Sequence, residues 1–304
     1  MTREQVKSRR IAPIGTSFSL MRVVSLLPCA TEILCRIGGA SLLVGRSHHC
    51  DWPHEILDRP VLTAQNAGES PFTLDLELLG ELRPDVILTQ DLCAVCAIDL
   101  ATVRAVAATM HPAPEIVSLN PTSMWDVLDD CLKVGSAVGR ATQAERAMVE
   151  LREGWWTAVD FVNPYSEGPE VLFLEWMDPP FCGGHWTPQL IHAAGGRHSI
   201  NTAGAKSRRI SPQEILAAAP ERVIICPCGY GIPEIRSELA ALQGQRWWPL
   251  LPALLEGENR VVLVDGHQMF NRPGPRLVDA FRWLTGWLND RPELIPPGFP
   301  VESA

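Results

Sequence analysis

Short apolar runs and amphipathic stretches alternate along this chain. "RVVSLLP" (22–28) is a β-branched run ended by proline, and "CATEILCRIGG" after it has helical spacing and stops at Gly38-Gly39. "LLVGRS", "DVILTQ" and "PEIVSL" are three more candidate strands, separated by helical stretches such as "LDLELLGEL" and "IDLATVRAVAATM". From about Ser123 to Val159 the spacing is helical throughout, with Thr122 or Ser123 placed to cap it. The scheme then returns. "EVLFLEW", "RVIICP" and "ENRVVLVDG" read as strands, and "TPQLIHAAGG", "SPQEILAAA" and "PRLVDAFRWLTGWL" as helices. Strands alternating with helices predict parallel sheets. The expected organisation is α/β, with a disordered extension over 1–20, an N-terminal lobe over 21–122, a connecting helix over 123–160, a C-terminal lobe over 161–290 and a tail over 291–304.

A chain of 304 residues is comfortable for two domains. Its 46% hydrophobic and 20% charged residues fit a globular protein, and a net charge of -9 argues against a nucleic-acid partner. No run of about 20 apolar residues marks a membrane span. The N-terminus carries arginines but no proper apolar core and no small-residue cleavage site, so it predicts an extension rather than a secretory signal. The odd count of nine cysteines fits free thiols in a reducing compartment. Together these features predict a cytoplasmic protein, with a periplasmic location as the alternative.

Ligands of parallel α/β sheets gather beyond the carboxyl ends of the strands. There the chain places Cys29; then His48, His49, Cys50, Asp51 and Trp52; then Gln90, Cys93 and Cys96. The second half adds Trp176, Phe181, His185, Trp186, Tyr230, Met269, Phe270 and Arg272. Cys93-x-x-Cys96 can be half a zinc site, a redox pair or two small buried residues, and no second Cys-x-x-Cys accompanies it. A soft-metal site would gather His48, His49, Cys50, Cys93 and Cys96 around zinc. A thiolate from Cys50, Cys93 or Cys96 could instead serve as a nucleophile. Alternatively, His48 or His49 ligates the metal of a larger planar ligand walled by loop aromatics, with Arg272 and Arg276 on its rim. Neither a Gly-x-Gly-x-x-Gly nor a Gly-x-Ser-x-Gly motif is present.

The phrases "RVVSLLPCATEILCRIGGASLLVGRSHHCDWP", "LRPDVILTQ", "PPFCGGHWTPQLIHAAGG" and "ISPQEILAAAPERVII" resemble the class III periplasmic substrate-binding proteins. Within that family they are most similar to the vitamin B12-binding proteins of ABC importers, alongside iron–siderophore and haem binders. The resemblance runs from about Met21 to Leu288. It implies two Rossmann-like lobes with parallel sheets, joined by one long helix, with a cobalamin or related corrinoid held between them. It also implies an ABC importer that docks on acidic residues of each lobe. Met269 and Asn271 stand where relatives carry an aromatic and an acid, which weighs against that partner, and relatives do not place thiols in these loops.

Overall fold

The computed structural model describes residues 20–66, 72–91, 98–255 and 259–304. The expected N-terminal extension, apart from Leu20, and the Cys93–Cys96 pair lie outside the described residues. The first lobe runs β1 (Val23–Ser25), α1 (Pro28–Arg36), β2 (Leu43–Arg46), β3 (Thr63–Gln65), β4 (Phe72–Leu74), α2 (Leu76–Leu82), β5 (Val86–Thr89), α3 (Leu100–Ala107) and β6 (Glu115–Ser118). Its main sheet is parallel, in the order β2-β1-β5-β6. The short antiparallel pair of β3 and β4 was not expected from the pattern. Asp75 and Asp99 start α2 and α3 by accepting the amides of Leu78 and Thr102.

The helical span after Ser123 is two helices rather than one. Ser123 and Asp126 form a capping box that opens α4 (Met124–Ala137), and α5 (Ala141–Val159) follows after a three-residue break. Gly139 in that break has φ +66°, a conformation that glycine adopts without strain. The two helices form an antiparallel hairpin, since Trp125 at the start of α4 meets Trp155 and Trp156 near the end of α5, at 5.5 and 6.1 Å.

The second lobe runs β7 (Val171–Trp176), β8 (Phe181–Cys182), α6 (Thr187–Ala193), β9 (Arg208–Arg209), α7 (Pro212–Ala218), β10 (Arg222–Ile225), α8 (Ile232–Gln243), β11 (Val261–Val264), α9 (Leu277–Leu288) and β12 (Val301–Ser303). Its sheet order is β12-β11-β10-β7-β8-β9. Only β7, β10 and β11 are parallel; β8, β9 and β12 add antiparallel edges, so this sheet is mixed. The expected C-terminal tail contains β12, which pairs with β11.

Side-chain alternation along the strands decides how the lobes join. Val23, Val86 and Leu88 face one cluster, while Val24 and Ile87 face another on the opposite side of the first sheet. In the second sheet Val171, Phe173, Ile224, Val262 and Val264 face the same cluster as Val23, and Leu172, Leu174, Val223, Ile225 and Leu263 face away. The cluster shared by the two sheets passes through α1, α4, α5 and α9. Trp155 of α5 stacks on Phe281 of α9 at 3.7 Å, so α5 is the long helix that ties both halves into one interior. Separating the lobes would expose that interior to water, which opposes opening between them.

Candidate functional site

The loops that leave the carboxyl ends of β2 and β11 meet each other. From β2 the chain continues through Ser47, His48, His49, Cys50, Asp51 and Trp52; from β11 it continues through Asp265, His267 and Met269 to Arg272 and Arg276. Arg272 is 8% exposed. Its guanidinium forms a two-pronged pair with Asp51, at 2.6 and 3.1 Å, reaches Glu32 Oε1 at 3.3 Å and donates to the His49 carbonyl at 3.3 Å. Arg276 donates to both oxygens of Glu32, at 2.9 and 2.5 Å, and to Gln268 Oε1 at 2.5 Å. The same guanidinium lies 5.1 Å over the ring of Trp52. Glu32, in α1, is thus a buried carboxylate of one lobe held by two arginines of the other. Burial alone would raise the Asp51 carboxyl, but hydrogen bonds and charge from Arg272 outweigh it and hold the group below its ordinary range.

This arrangement corrects the rim role expected of Arg272 and Arg276: their donors are taken by Glu32, Asp51, His49 and Gln268. Next to the arginines, Gly274 comes so close to Cys29 that a Cβ there would lie 3.2 Å from the cysteine Cβ. Cys29 is therefore a buried lobe-to-lobe contact and not a ligand-facing thiol.

Beside this clasp stands a group of imidazoles. His49 is exposed and its ring centroid is 4.0 Å from that of His48. Loss of hydration, then the positive neighbours His48, Arg272 and His267, push the His49 imidazole down to about 4. The ring is thus neutral at ordinary pH and free to donate a lone pair to a metal. His267, whose charge acts on His49 from the other lobe, is also exposed. His48 is half-buried, with Nδ1 2.6 Å from Thr63 Oγ1, and desolvation lowers it too. Sequence reasoning missed His267, although "DGHQ" directly after β11 placed it at a strand end.

The remaining expected residues divide into two groups. Trp176 meets Tyr230 edge-on at 5.1 Å, and both rings keep partial exposure at the ends of β7 and β10. Phe181, paired with Trp176 across β8, and His185, lowered by burial and by Lys206, are also partly exposed. By contrast, Trp186 and Phe270 are not walls. Phe270 is fully buried between Phe173 and Trp283, and the Trp186 indole donates to the Phe270 carbonyl at 2.8 Å. Gln90 is buried at the end of β5, and Met269 packs against the shared interior. Asn271, half-buried, donates to the carbonyls of Cys226 and Gly266, both at 3.1 Å, and so ties two strand ends together. A recess of about 410 Å³ is lined by α5 and its end alone and shares no residue with these loops.

The soft-metal and nucleophile readings of Cys50 are corrected. Cys50 is fully buried, accepts from Thr31 Oγ1 at 3.1 Å and faces the Ser25 carbonyl at 3.8 Å. Burial pushes its thiol up to about 11, so it carries no thiolate at neutral pH. Among the described residues no group of three or more His, Cys, Asp or Glu is placed to hold a metal ion.

The geometry defines a class of architecture: a two-lobed α/β fold whose lobes meet at their strand ends around a clasp of opposite charges. Comparisons with known proteins agree. No protein-family model matches the chain. It is 22% identical over 279 residues to a vitamin B12-binding protein of Vibrio cholerae serotype O1, covering 90% of this chain and 91% of that one. In structure it is similar to the periplasmic heme-binding protein RhuT of Roseiflexus sp. RS-1, with TM-score 0.72, 22% identity, and coverage of 90% and 99%. It is also similar to the periplasmic vitamin B12-binding protein BtuF of Vibrio cholerae, with TM-score 0.66, 18% identity, and coverage of 89% and 97%. The fold is that of the two-lobed periplasmic binding proteins, in line with the resemblance carried by its motifs. The cytoplasmic location expected from the N-terminus and the cysteines is overturned by these periplasmic neighbours. Buried cysteines with raised pKa values, such as Cys29, Cys131 and Cys226, are packing residues, and free thiols of that kind carry no information about the compartment.

Proposed function

We propose that this chain is a periplasmic binding protein for a metal-centred tetrapyrrole held between its lobes. A cobalamin or related corrinoid is the first candidate and haem the second. The observation that carries this reading is the exposed, neutral imidazole of His49 at the lobe junction, with His267 close by on the opposite lobe. An imidazole lone pair suits both cobalt and iron, and the exposed Trp52 with the partly exposed Trp176 and Tyr230 offers aromatic surface for a flat ring. Relatives named for vitamin B12 and for heme support the shared chemistry without separating the two. Delivery to an ABC importer accompanies this proposal. Asn271 is occupied within the second lobe and offers such a partner no acidic group.

Titration with aquocobalamin and, separately, with hemin tests the proposal. Each has an exchangeable axial position, so imidazole coordination shifts the visible bands, and the tryptophans report occupancy by quenching. Saturable one-to-one binding of either is expected, and the tighter one identifies the ligand. Absence of both at micromolar protein contradicts the proposal.

A further inference from the structure

We propose that Arg272 is a positioning residue for this site: from the second lobe it fixes the loop of the first lobe that presents His49. This rests on the reading of His49 as a ligand to the bound metal. The base of that loop is held within its own lobe. The Arg46 guanidinium donates to the carbonyls of Ser47, Cys50 and Leu57, and the amides of His48 and His49 are met by Thr63 Oγ1 and Ser47 Oγ. The outer part is held differently. The carboxylate of Asp51 and the carbonyl of His49 both receive their hydrogen bonds from Arg272. Trp52, the next residue, lies under Arg276. Two arginines four residues apart therefore hold three features of the loop, and each of these anchors belongs to the opposite lobe.

Arg suits this task better than Lys. Its planar fork can satisfy a carboxylate and a carbonyl at the same time, whereas an ammonium acts as a point charge. Glu32 backs the arrangement by contacting both arginines, so Arg272 cannot swing toward a ligand without leaving a buried carboxylate short of a partner. The consequence is that the His49 carbonyl and the Asp51 carboxylate keep these anchors only while the lobes stay apposed. Coordination strength and lobe arrangement then become one coupled property of the protein.

The test uses Asp51→Asn, Arg272→Gln, Arg272→Lys and the double variant Asp51→Asn with Arg272→Gln. Asp51 has a side chain 54% exposed, so its variant folds even if the arginine variants do not. In the ligand-free protein, amide hydrogen exchange over residues 48–52 should accelerate in Asp51→Asn and in Arg272→Gln. Hemin and aquocobalamin affinity should fall by about 10-fold to 100-fold in each, the range found when an outer partner of a metal-ligating residue is removed. The double variant should lose little more than either single one, because both break the same contact. Arg272→Lys should fall between wild type and Arg272→Gln. Unchanged exchange over 48–52 in Asp51→Asn overturns the proposal, whether or not the wild type binds a tetrapyrrole. Wild-type affinity in Arg272→Lys also overturns it, since charge alone would then suffice. Failure of the wild type to bind either probe counts instead against the functional reading.

Discussion

Two groups of charged or ionisable side chains stand side by side where the lobes meet, and they are built on opposite terms. In the clasp, Glu32, Asp51, Arg272 and Arg276 satisfy one another, and Glu32 and Arg272 are almost withdrawn from water. In the imidazole group, His49 and His267 stay exposed, and partial loss of hydration, helped by positive neighbours, keeps His49 unprotonated. Charges that are paired and buried hold shape. Donor atoms that are neutral and exposed stay available. The arginines, which a reading by residue type assigns to the ligand, are consumed by structure, so ligand chemistry falls to the imidazoles and the exposed aromatics.

The largest effect should come from breaking the clasp at its buried centre. Glu32→Gln takes the carboxylate from Arg276 and leaves Arg272 with Asp51 alone, and breaking a buried pair from one side costs about 3–5 kcal/mol. Urea unfolding would measure it, and a loss under about 1 kcal/mol would mean the clasp is no stronger than a surface pair. A contrasting buried acid sharpens the point. Asp130 has one oxygen without a partner, and the nearest cation, Lys133 Nζ, lies 3.9 Å from the other. Burial pushes this carboxyl from its ordinary 3.8 up to about 7. Between those values the folded state binds more protons than the unfolded one, so stability falls as pH rises through the window and stays lower above it. Asp130→Asn should therefore stabilise the protein by about 2 kcal/mol near pH 8, with the gain vanishing near pH 4. No gain at high pH would mean that water or Lys133 already satisfies the acid.

A smaller effect separates core from wall. Trp186→Phe removes the indole bond to the Phe270 carbonyl and should cost about 1–2 kcal/mol while leaving tetrapyrrole affinity unchanged. Lost affinity at full stability would restore Trp186 to the ligand site. Smallest of all should be the pH response of coordination. An ordinary imidazole protonates near 6.5, but His49 does so only near 4. Binding of hemin or aquocobalamin should stay flat from about pH 8 to about pH 5, and a drop centred near pH 6.5 would point to another histidine.

Much of the fold was legible in the sequence because buried parallel strands write themselves as apolar runs, and β1, β5, β7, β10 and β11 all do so. The break between α4 and α5 left only Gly139 as a trace, too little to interrupt a continuing helical period. Strand β12 has three residues and owes its existence to the edge of β11, so it has no periodicity of its own to detect. The site was legible as a set of strand-end loops but not as a division of labour. Trp186 and Phe270 sit in those loops, and only packing tells that they point inward. The partners of Arg272 lie 221 and 240 residues away, so no local pattern could show that its charge was already taken.

The central claim is that His49 serves the ligand while the clasp serves the shape. A hemin titration of His49→Ala followed by visible spectroscopy, with thermal unfolding of the same sample, tests it most directly. The account predicts loss of the imidazole–iron bands and weaker binding, with stability changed by less than about 0.5 kcal/mol, as for an exposed side chain. Wild-type bands and affinity in His49→Ala would contradict it.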